Sequence, residues 1–149
     1  MTAYLSTELG NTANQTVAPV GYKPRATVYG ARLKRLRGTF TANTQTTSDT
    51  LVVGNLPAGA TFAFGVITAS ATMGATATLA IGISGSTGKY RAAAISTVVD
   101  TPTFFGTAAT IGAADPALAA EEQVIVTIAA ASLPAAGTLV IDLYYSAPN

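Results

Sequence analysis

Apolar and polar residues alternate along much of the chain, and the clearest example lies between residues 77 and 83. Every second residue from Ala77 to Ile83 is apolar, and the residues between them are Thr78, Ala80 and Gly82. Because successive side chains of a strand point to opposite faces, this alternation predicts a strand with one buried face. The small residues on the other face keep this strand narrow.

Similar alternation, or a run of β-branched and aromatic residues, recurs along the chain and predicts about eight strands. In sequence order they cover residues 27–41, 51–56, 61–68, 77–83, 90–95, 99–105, 122–129 and 138–145. In the third strand Phe62, Phe64 and Val66 share one parity, which predicts that all three lie on one face. In the first strand Leu33 and Leu36 differ in parity, which indicates a bulge or two short strands.

Turn residues separate the predicted strands and lead to a fold class. Proline and glycine stand together between apolar runs in residues 55–59 and 132–137, as they commonly do in turns. Residues 115–123, with Pro116 near an N-cap position and alanines after it, are expected to form one or two helical turns. About eight short strands joined in this way predict an all-β protein, a single antiparallel β-sandwich of the jelly-roll or Greek-key type.

The pattern divides the chain into two parts. Residues 1–25 are polar and lack strand or helix periodicity, which predicts an extended N-terminal arm. Residues 26–149 contain the predicted strands and form the sandwich domain. Residues 50–88 carry no charge, yet their period of two favours a soluble strand pair over a membrane span. Residues 1–10 lack a basic cluster followed by an apolar run, so we expect no secretory signal.

The composition removes most small-enzyme chemistry. The 149 residues include no cysteine and no histidine, which excludes Cys or His nucleophiles, a Ser-His-Asp triad, and zinc sites built on thiolates or imidazoles. The carboxylates are scattered, and the adjacent Glu121 and Glu122 would face opposite sides of a strand. Asp142 interrupts an otherwise apolar strand, at a position whose side chain points away from the core. Exposure to solvent or a cross-strand partner therefore explains a charged residue there. We therefore expect no enzymatic activity, metal or cofactor.

A glycine-rich segment at residues 82–90 invites comparison with a phosphate-binding loop. Such a loop has four residues between its first glycine and the Gly-Lys pair, followed by Ser or Thr and a helix. Here five residues separate Gly82 from Gly88 and Lys89, and Tyr90 follows. The segment is therefore predicted to be a flexible hairpin.

The distribution of charge singles out one candidate surface. Six of the eight cations lie between residues 23 and 37, although the net charge is only +1. Cations on a strand edge can simply prevent unwanted pairing. They can also bind an acidic protein surface or nucleic acid phosphates. Binding to nucleic acid is the weaker interpretation, because the chain is nearly neutral and few aromatic residues lie nearby. Together with two tyrosines, which suit interfaces, the predicted protein-interface residues are Tyr4, Tyr22, Lys23, Arg25, Arg32, Lys34, Arg35 and Arg37.

Four segments carry a resemblance to small Ala-, Gly- and Thr-rich structural proteins of tailed bacteriophages, namely residues 49–60, 77–83, 123–128 and 137–146. Within that group the chain resembles capsid decoration, or cement, proteins with a jelly-roll-like sandwich. The resemblance implies a virion protein, made in the host cytoplasm, that binds the capsid exterior and clamps neighbouring major capsid subunits. It brings no catalytic residues with it.

The expected partners follow from this resemblance and from the composition. Only 10% of the residues are charged, well below the usual quarter, so we expect partners to cover much of the exterior. These partners are the major capsid protein and further copies of the chain, as a dimer or trimer, with no membrane and no direct contact to nucleic acid. Two alternatives stay open: another virion component, such as a tail or fibre-base protein, and a carbohydrate-binding β-sandwich module, which the absence of tryptophan disfavours.

Overall fold

The predicted alternation is realised as eight β-strands. The computed structural model describes residues 32–47, 49–107, 110 and 117–147. The strands are β1 (Lys34–Thr41), β2 (Thr50–Leu56), β3 (Thr61–Ala69), β4 (Thr78–Ile83), β5 (Ser86–Ile95), β6 (Thr103–Phe105), β7 (Glu122–Ala129) and β8 (Thr138–Ser146). The predicted arm, residues 1–25, lies outside the described residues, as do Tyr4, Tyr22, Lys23 and Arg25.

The strands form two four-stranded antiparallel sheets. Sheet A has the order β1-β8-β3-β6, and sheet B has the order β2-β7-β4-β5. Apart from the β4–β5 pair, strands that follow each other in sequence belong to different sheets. This is the connectivity of a jelly roll. The predicted all-β sandwich of about eight strands is therefore confirmed.

The core lies between the two sheets and is filled from alternate positions of their strands. Six of its residues, each no more than 1% exposed, come from β7 and β8: Val124, Val126, Ile128, Leu139, Ile141 and Leu143. Phe62 of sheet A meets Tyr90 of sheet B with ring centroids 4.7 Å apart. Removing this apolar surface from water is the main favourable contribution to folding.

The third strand does not place its residues as the parity predicted. Phe62 is buried in the core, but the register between β3 and β8 shifts between Phe62 and Phe64. Beyond this bulge Gly65, Ile67 and Ala69 are the buried residues, and Phe64 and Val66 are half-buried on the outer face of sheet A. The prediction that Phe62, Phe64 and Val66 share a face is therefore wrong, because one extra residue in a strand reverses the direction of every later side chain.

The irregularity predicted for the first strand is absent from its described residues. β1 pairs with β8 without interruption from Lys34 to Thr41, so this part contains neither a bulge nor a second strand. Leu33 precedes β1, so the difference in parity between Leu33 and Leu36 does not require a bulge in the strand. Residues 27–31 of the predicted strand lie outside the described part of the chain.

The predicted helical segment begins its described part with an isolated β-bridge instead of a helix. None of residues 117–123, its described part, is helical. Ala117 forms an antiparallel bridge with Thr61, and the amide of Leu118 donates a hydrogen bond of 2.8 Å to the carbonyl of Ala60. Pairing with the start of β3 thus satisfies backbone groups that a helix would have satisfied internally.

The glycine-rich segment is a β-hairpin, as predicted. β4 ends at Ile83, Ser84 and Gly85 form the turn, and β5 begins at Ser86. The glycine at the turn has a φ of 83°, in the left-handed region that glycine adopts without strain. Across the described ranges, no helix is long and apolar enough to cross a membrane.

Candidate interaction surface

The basic segment predicted from the sequence is divided between two sides of β1. Arg35 and Arg37 have the parity opposite to the core-facing Leu36, so both lie on the outer face of sheet A. Lys34 has the parity of Leu36, and Arg32 precedes the strand; both side chains are exposed. The structure therefore brings two of these four cations together on one face.

Arg37 forms a two-pronged ion pair with Asp142 on the neighbouring strand. The two residues are directly opposite in the β1–β8 register. Nε of Arg37 donates a hydrogen bond of 2.7 Å to Oδ1 of Asp142, and Nη2 donates one of 2.6 Å to Oδ2. Nε of Arg35 lies 3.9 Å from the same Oδ1. The cross-strand partner expected for Asp142 is thus Arg37, and this carboxylate, only 7% exposed, is not a solvated surface group.

The ion pair changes the acid–base behaviour of both side chains. The hydrogen bonds from Arg37 hold the pKa of Asp142 below its ordinary value of 3.8, and the charges of Arg37 and Arg35 lower it further, whereas burial acts in the opposite direction. The same hydrogen bonds raise the pKa of Arg37. Both side chains are therefore charged at neutral pH, and the arrangement is the strong bidentate form of a salt bridge.

This pair predicts a specific loss of stability in acid. The pKa of Asp142 is lower in the folded protein than in the unfolded chain. The carboxylate therefore stabilises the fold at pH values above its unfolded-state pKa, and this stabilisation is lost as the pH falls through its folded-state pKa. We expect the thermal midpoint of the wild type to fall between about pH 5 and pH 2 more steeply than that of Asp142→Asn.

The control for this measurement is Asp100→Asn, which removes an exposed carboxylate and should keep the wild-type pH profile. Asp100 has a positive φ of 51°, a conformation that asparagine also tolerates. Thermal unfolding followed by circular dichroism at a series of pH values compares the three proteins. Equal slopes for the wild type and Asp142→Asn would contradict the role assigned to the pair.

Three aromatic side chains lie on the same outer face of sheet A. Tyr144 and Phe64 are directly opposite in the β8–β3 register, and their rings stack with centroids 4.7 Å apart. The ring of Phe104 in β6 contacts that of Phe64, with 5.8 Å between the ring centroids. Phe104 is 72% exposed. Arg35 is opposite Tyr144 on the other side. The outer face therefore carries cations at its β1 edge and aromatic rings towards its β6 edge.

We call this surface the arginine–aromatic face, defined by Arg35, Arg37, Phe64, Phe104 and Tyr144. The sequence pointed to its two arginines but not to its aromatic half. No signal in the parity of β3 reveals the bulge that turns Phe64 outwards. Phe104 was inside a predicted strand, and its exposure follows from β6 being a short edge strand with three paired residues.

A second polar cluster lies where β5 and β7 approach each other. The hydroxyl of Tyr90 donates a hydrogen bond of 2.7 Å to Oε2 of Glu122, and Nζ of Lys89 donates to Oε1 of the same carboxylate. Burial, reinforced by the hydrogen bond to Glu122, raises the pKa of Tyr90 well above its ordinary value. A neutral phenol and a fully engaged carboxylate stabilise this end of the core and offer no free nucleophile.

Metal ligands do not converge in the described ranges, where no three side chains among His, Cys, Asp and Glu are placed to hold a metal ion.

Comparison with solved structures identifies proteins of the same architecture. A chain in "Cyanophage Pam1 capsid asymmetric unit" is similar with a TM-score of 0.64 and 24% identity, over 93% of this chain and 97% of that one. The chain has a fold that occurs in phage capsid structures. A chain in "Capsid of Ralstonia phage GP4" is similar with a TM-score of 0.59 and 22% identity, over 85% of this chain and 90% of that one.

A third similarity has the same character. A chain in "Acidic stable capsid structure of Helicobacter pylori bacteriophage KHP30" is similar with a TM-score of 0.57 and 14% identity, over 78% of this chain and 89% of that one. Neither a family model nor a curated protein matches the chain. At these identities the likeness concerns the fold, and function has to be argued from surfaces and their chemistry.

Proposed function

We propose that the chain is a non-enzymatic structural protein of a phage virion that binds the outside of the capsid and stabilises contacts between major capsid subunits. The observation that carries this proposal is the likeness in fold of 78–93% of the chain to chains in three phage capsid structures. The described surface supports it, because the arginine–aromatic face offers charge and apolar area for binding, whereas the polar clusters offer no reactive group.

The proposed mechanism is mechanical. The sandwich acts as a rigid body between capsid subunits, while residues 1–25 and the basic segment up to Arg37 lie on the capsid or on an adjoining copy. Association as a dimer or trimer multiplies the attachment points, and each attachment raises the effective concentration for the next. Individually weak contacts then hold the shell together against outward pressure.

Binding to capsids tests the proposal directly. Purified protein is added to capsids of the encoding phage that were assembled without it, and the capsids are sedimented. We expect saturable binding, with a copy number that matches the symmetry of the shell and a higher melting temperature of the decorated capsid. The absence of saturable binding would overturn the proposal, and binding to phage tails or to a glycan array would then identify which alternative replaces it.

Removal of the arm is a separate prediction. Deleting residues 1–25 should weaken capsid binding by about tenfold or more, because an attachment point and its two tyrosines are lost. Sedimentation with intact and truncated protein measures the dissociation constants, and circular dichroism checks that the truncated sandwich keeps its strands. An unchanged dissociation constant would remove the arm from the mechanism.

A further inference from the structure

We infer that the arginine–aromatic face is the docking site for a segment of a different protein that combines a carboxylate with an apolar side chain. This inference rests on the proposed function, in which that protein is a capsid subunit. It adds the surface that makes the contact and the chemistry that the partner has to provide.

The apolar half of the face has the properties of an interface anchor. Phe104 is 72% exposed, and its ring is supported from one side by Phe64, which in turn stacks on Tyr144. Aromatic side chains of this kind dominate binding energies when a partner covers them. The three rings already support one another, so less side-chain freedom remains to be lost on binding.

The other half of the face has an excess of positive charge. Two guanidinium groups, those of Arg35 and Arg37, share the single carboxylate of Asp142. Arg37 uses Nε and Nη2 in that ion pair, whereas Arg35 approaches the carboxylate no closer than 3.9 Å. A carboxylate from a partner would complement this charge and would find in Arg35 a guanidinium that donates no hydrogen bond to the described residues.

The strand order sets the distance between the two features. Arg37 and Phe104 belong to the same row across sheet A, with Asp142 and Val66 between them. Three strand spacings separate β1 from β6, which corresponds to about 14 Å. Arg35 lies two residues, or about 7 Å, further along β1 than Arg37. The matching partner therefore carries its carboxylate and its apolar side chain on the order of 15 Å apart, a span that one short segment of a protein covers.

A second copy of the chain is a poorer complement. Among the described carboxylates, those of Asp49, Glu121, Glu122 and Asp142 already accept hydrogen bonds within the chain. Of the described acidic residues this leaves Asp100 to meet the guanidinium groups. The excess positive charge therefore favours a chemically different chain with its own acidic side chain.

Two pairs of variants locate the contact. Phe104→Ser removes the exposed anchor, and its control is Val52→Ser, which removes a side chain that is 49% exposed on the outer face of sheet B. Arg35→Gln removes a charge from the face, and its control is Lys34→Gln, an exposed cation of opposite parity on the same strand. All four changes affect exposed side chains, and thermal melting verifies that each variant stays folded.

Capsids assembled without the protein are the probe, and sedimentation gives the dissociation constant. We expect Phe104→Ser to weaken binding by about 10- to 100-fold. Arg35→Gln should weaken it by about two- to fivefold at low salt, a difference that disappears at high salt. Val52→Ser should bind like the wild type, and Lys34→Gln, which leaves the charges of the arginine–aromatic face in place, should weaken binding less than Arg35→Gln.

Three results would count against this assignment, and they are distinguishable. If the wild type binds capsids and both Phe104→Ser and Arg35→Gln bind equally well, the docking site is wrong and the proposed function stays intact. If Phe104→Ser has a lower mass than the wild type in sedimentation equilibrium but binds capsids with normal affinity, the face contacts a second copy of the chain instead. Failure of the wild type to bind capsids would overturn both the function and the inference.

Discussion

Phe62→Ala is expected to lower the free energy of unfolding by about 3–5 kcal/mol, the usual range for removing a large buried aromatic ring. Phe62 is 2% exposed, and it contacts Tyr90 of the opposite sheet at 4.7 Å and Phe105 at 6.4 Å between ring centroids. Its loss leaves a cavity at the point where the sheets meet, and the surrounding strands relax only partially around such a cavity.

Phe64→Ala is the matched control, since it makes the same change two residues later on β3. The bulge places Phe64 on the outer face, where it is half-buried between Phe104 and Tyr144. Its removal should cost about 0.5–1.5 kcal/mol in lost aromatic contacts plus a small burial contribution. Denaturant unfolding at neutral pH measures both variants. Equal costs would mean that the two rings share one environment, contrary to the bulge.

Gly82→Ala is expected to cost about 3 kcal/mol, at the upper end of the range for overfilled sites. A Cβ atom at position 82 would lie 2.2 Å from the carbonyl oxygen of Ser86 and 2.5 Å from that of Thr87. Both obstacles are backbone atoms of β5, so no side-chain rotation relieves the clash. The two strands of the hairpin would have to separate, with loss of their hydrogen bonds.

Gly88→Ala provides the comparison for this prediction. The nearest atom to an added Cβ at position 88 is the Cα of Ala92, at an ordinary contact distance of 3.5 Å. The change should therefore stay within about 0.5 kcal/mol of the wild type. Denaturant unfolding gives the two energies, and hydrogen exchange of the β5 amides reports on the strand separation. A Gly82→Ala protein as stable as Gly88→Ala would show that β5 moves freely over β4.

The same glycine explains why the apparent phosphate-loop pattern is structural. Gly82 lies under the start of β5, where any larger residue would collide with the backbone. Arg91 holds the far part of this hairpin, because its Nη1 donates to the carbonyls of Leu79 and Ala94, and burial lowers the pKa of this guanidinium. Gly82 and the neighbouring Arg91 thus serve the hairpin, whereas Lys89, the cation of the glycine-rich segment, pairs with Glu122 of β7.

Most of the fold could be predicted because it rests on local alternation. The seventh predicted strand agrees with β7 at both ends, and the second, third, fourth and eighth each differ from the observed strand by one residue at one end. The sixth is shorter than predicted, since Val99 forms only a bridge to Ala69 and the strand proper begins at Thr103. Residues 117–121 deviate most, because the pairing of Ala117 and Leu118 with the start of β3 outweighs a weak helix preference.

The candidate surface was predictable only in part. The clustering of arginines is visible in the sequence, and parity correctly places Asp142 opposite the core residues of β8. The identity of its partner depends on which strands are neighbours, since Arg37 lies 105 positions away. The aromatic half depends in addition on the bulge in β3 and on the short edge strand that exposes Phe104.

The sequence alone was sufficient for the all-β class, the approximate strands and the absence of cysteine and histidine chemistry, since each of these follows from residue type and from the two-residue period of a strand. The tertiary structure decided the strand order, the register and hence the composition of the arginine–aromatic face. The physical reason is that register reflects the best packing between distant strands. A shift of one residue, as in β3, changes which side chains a partner can reach.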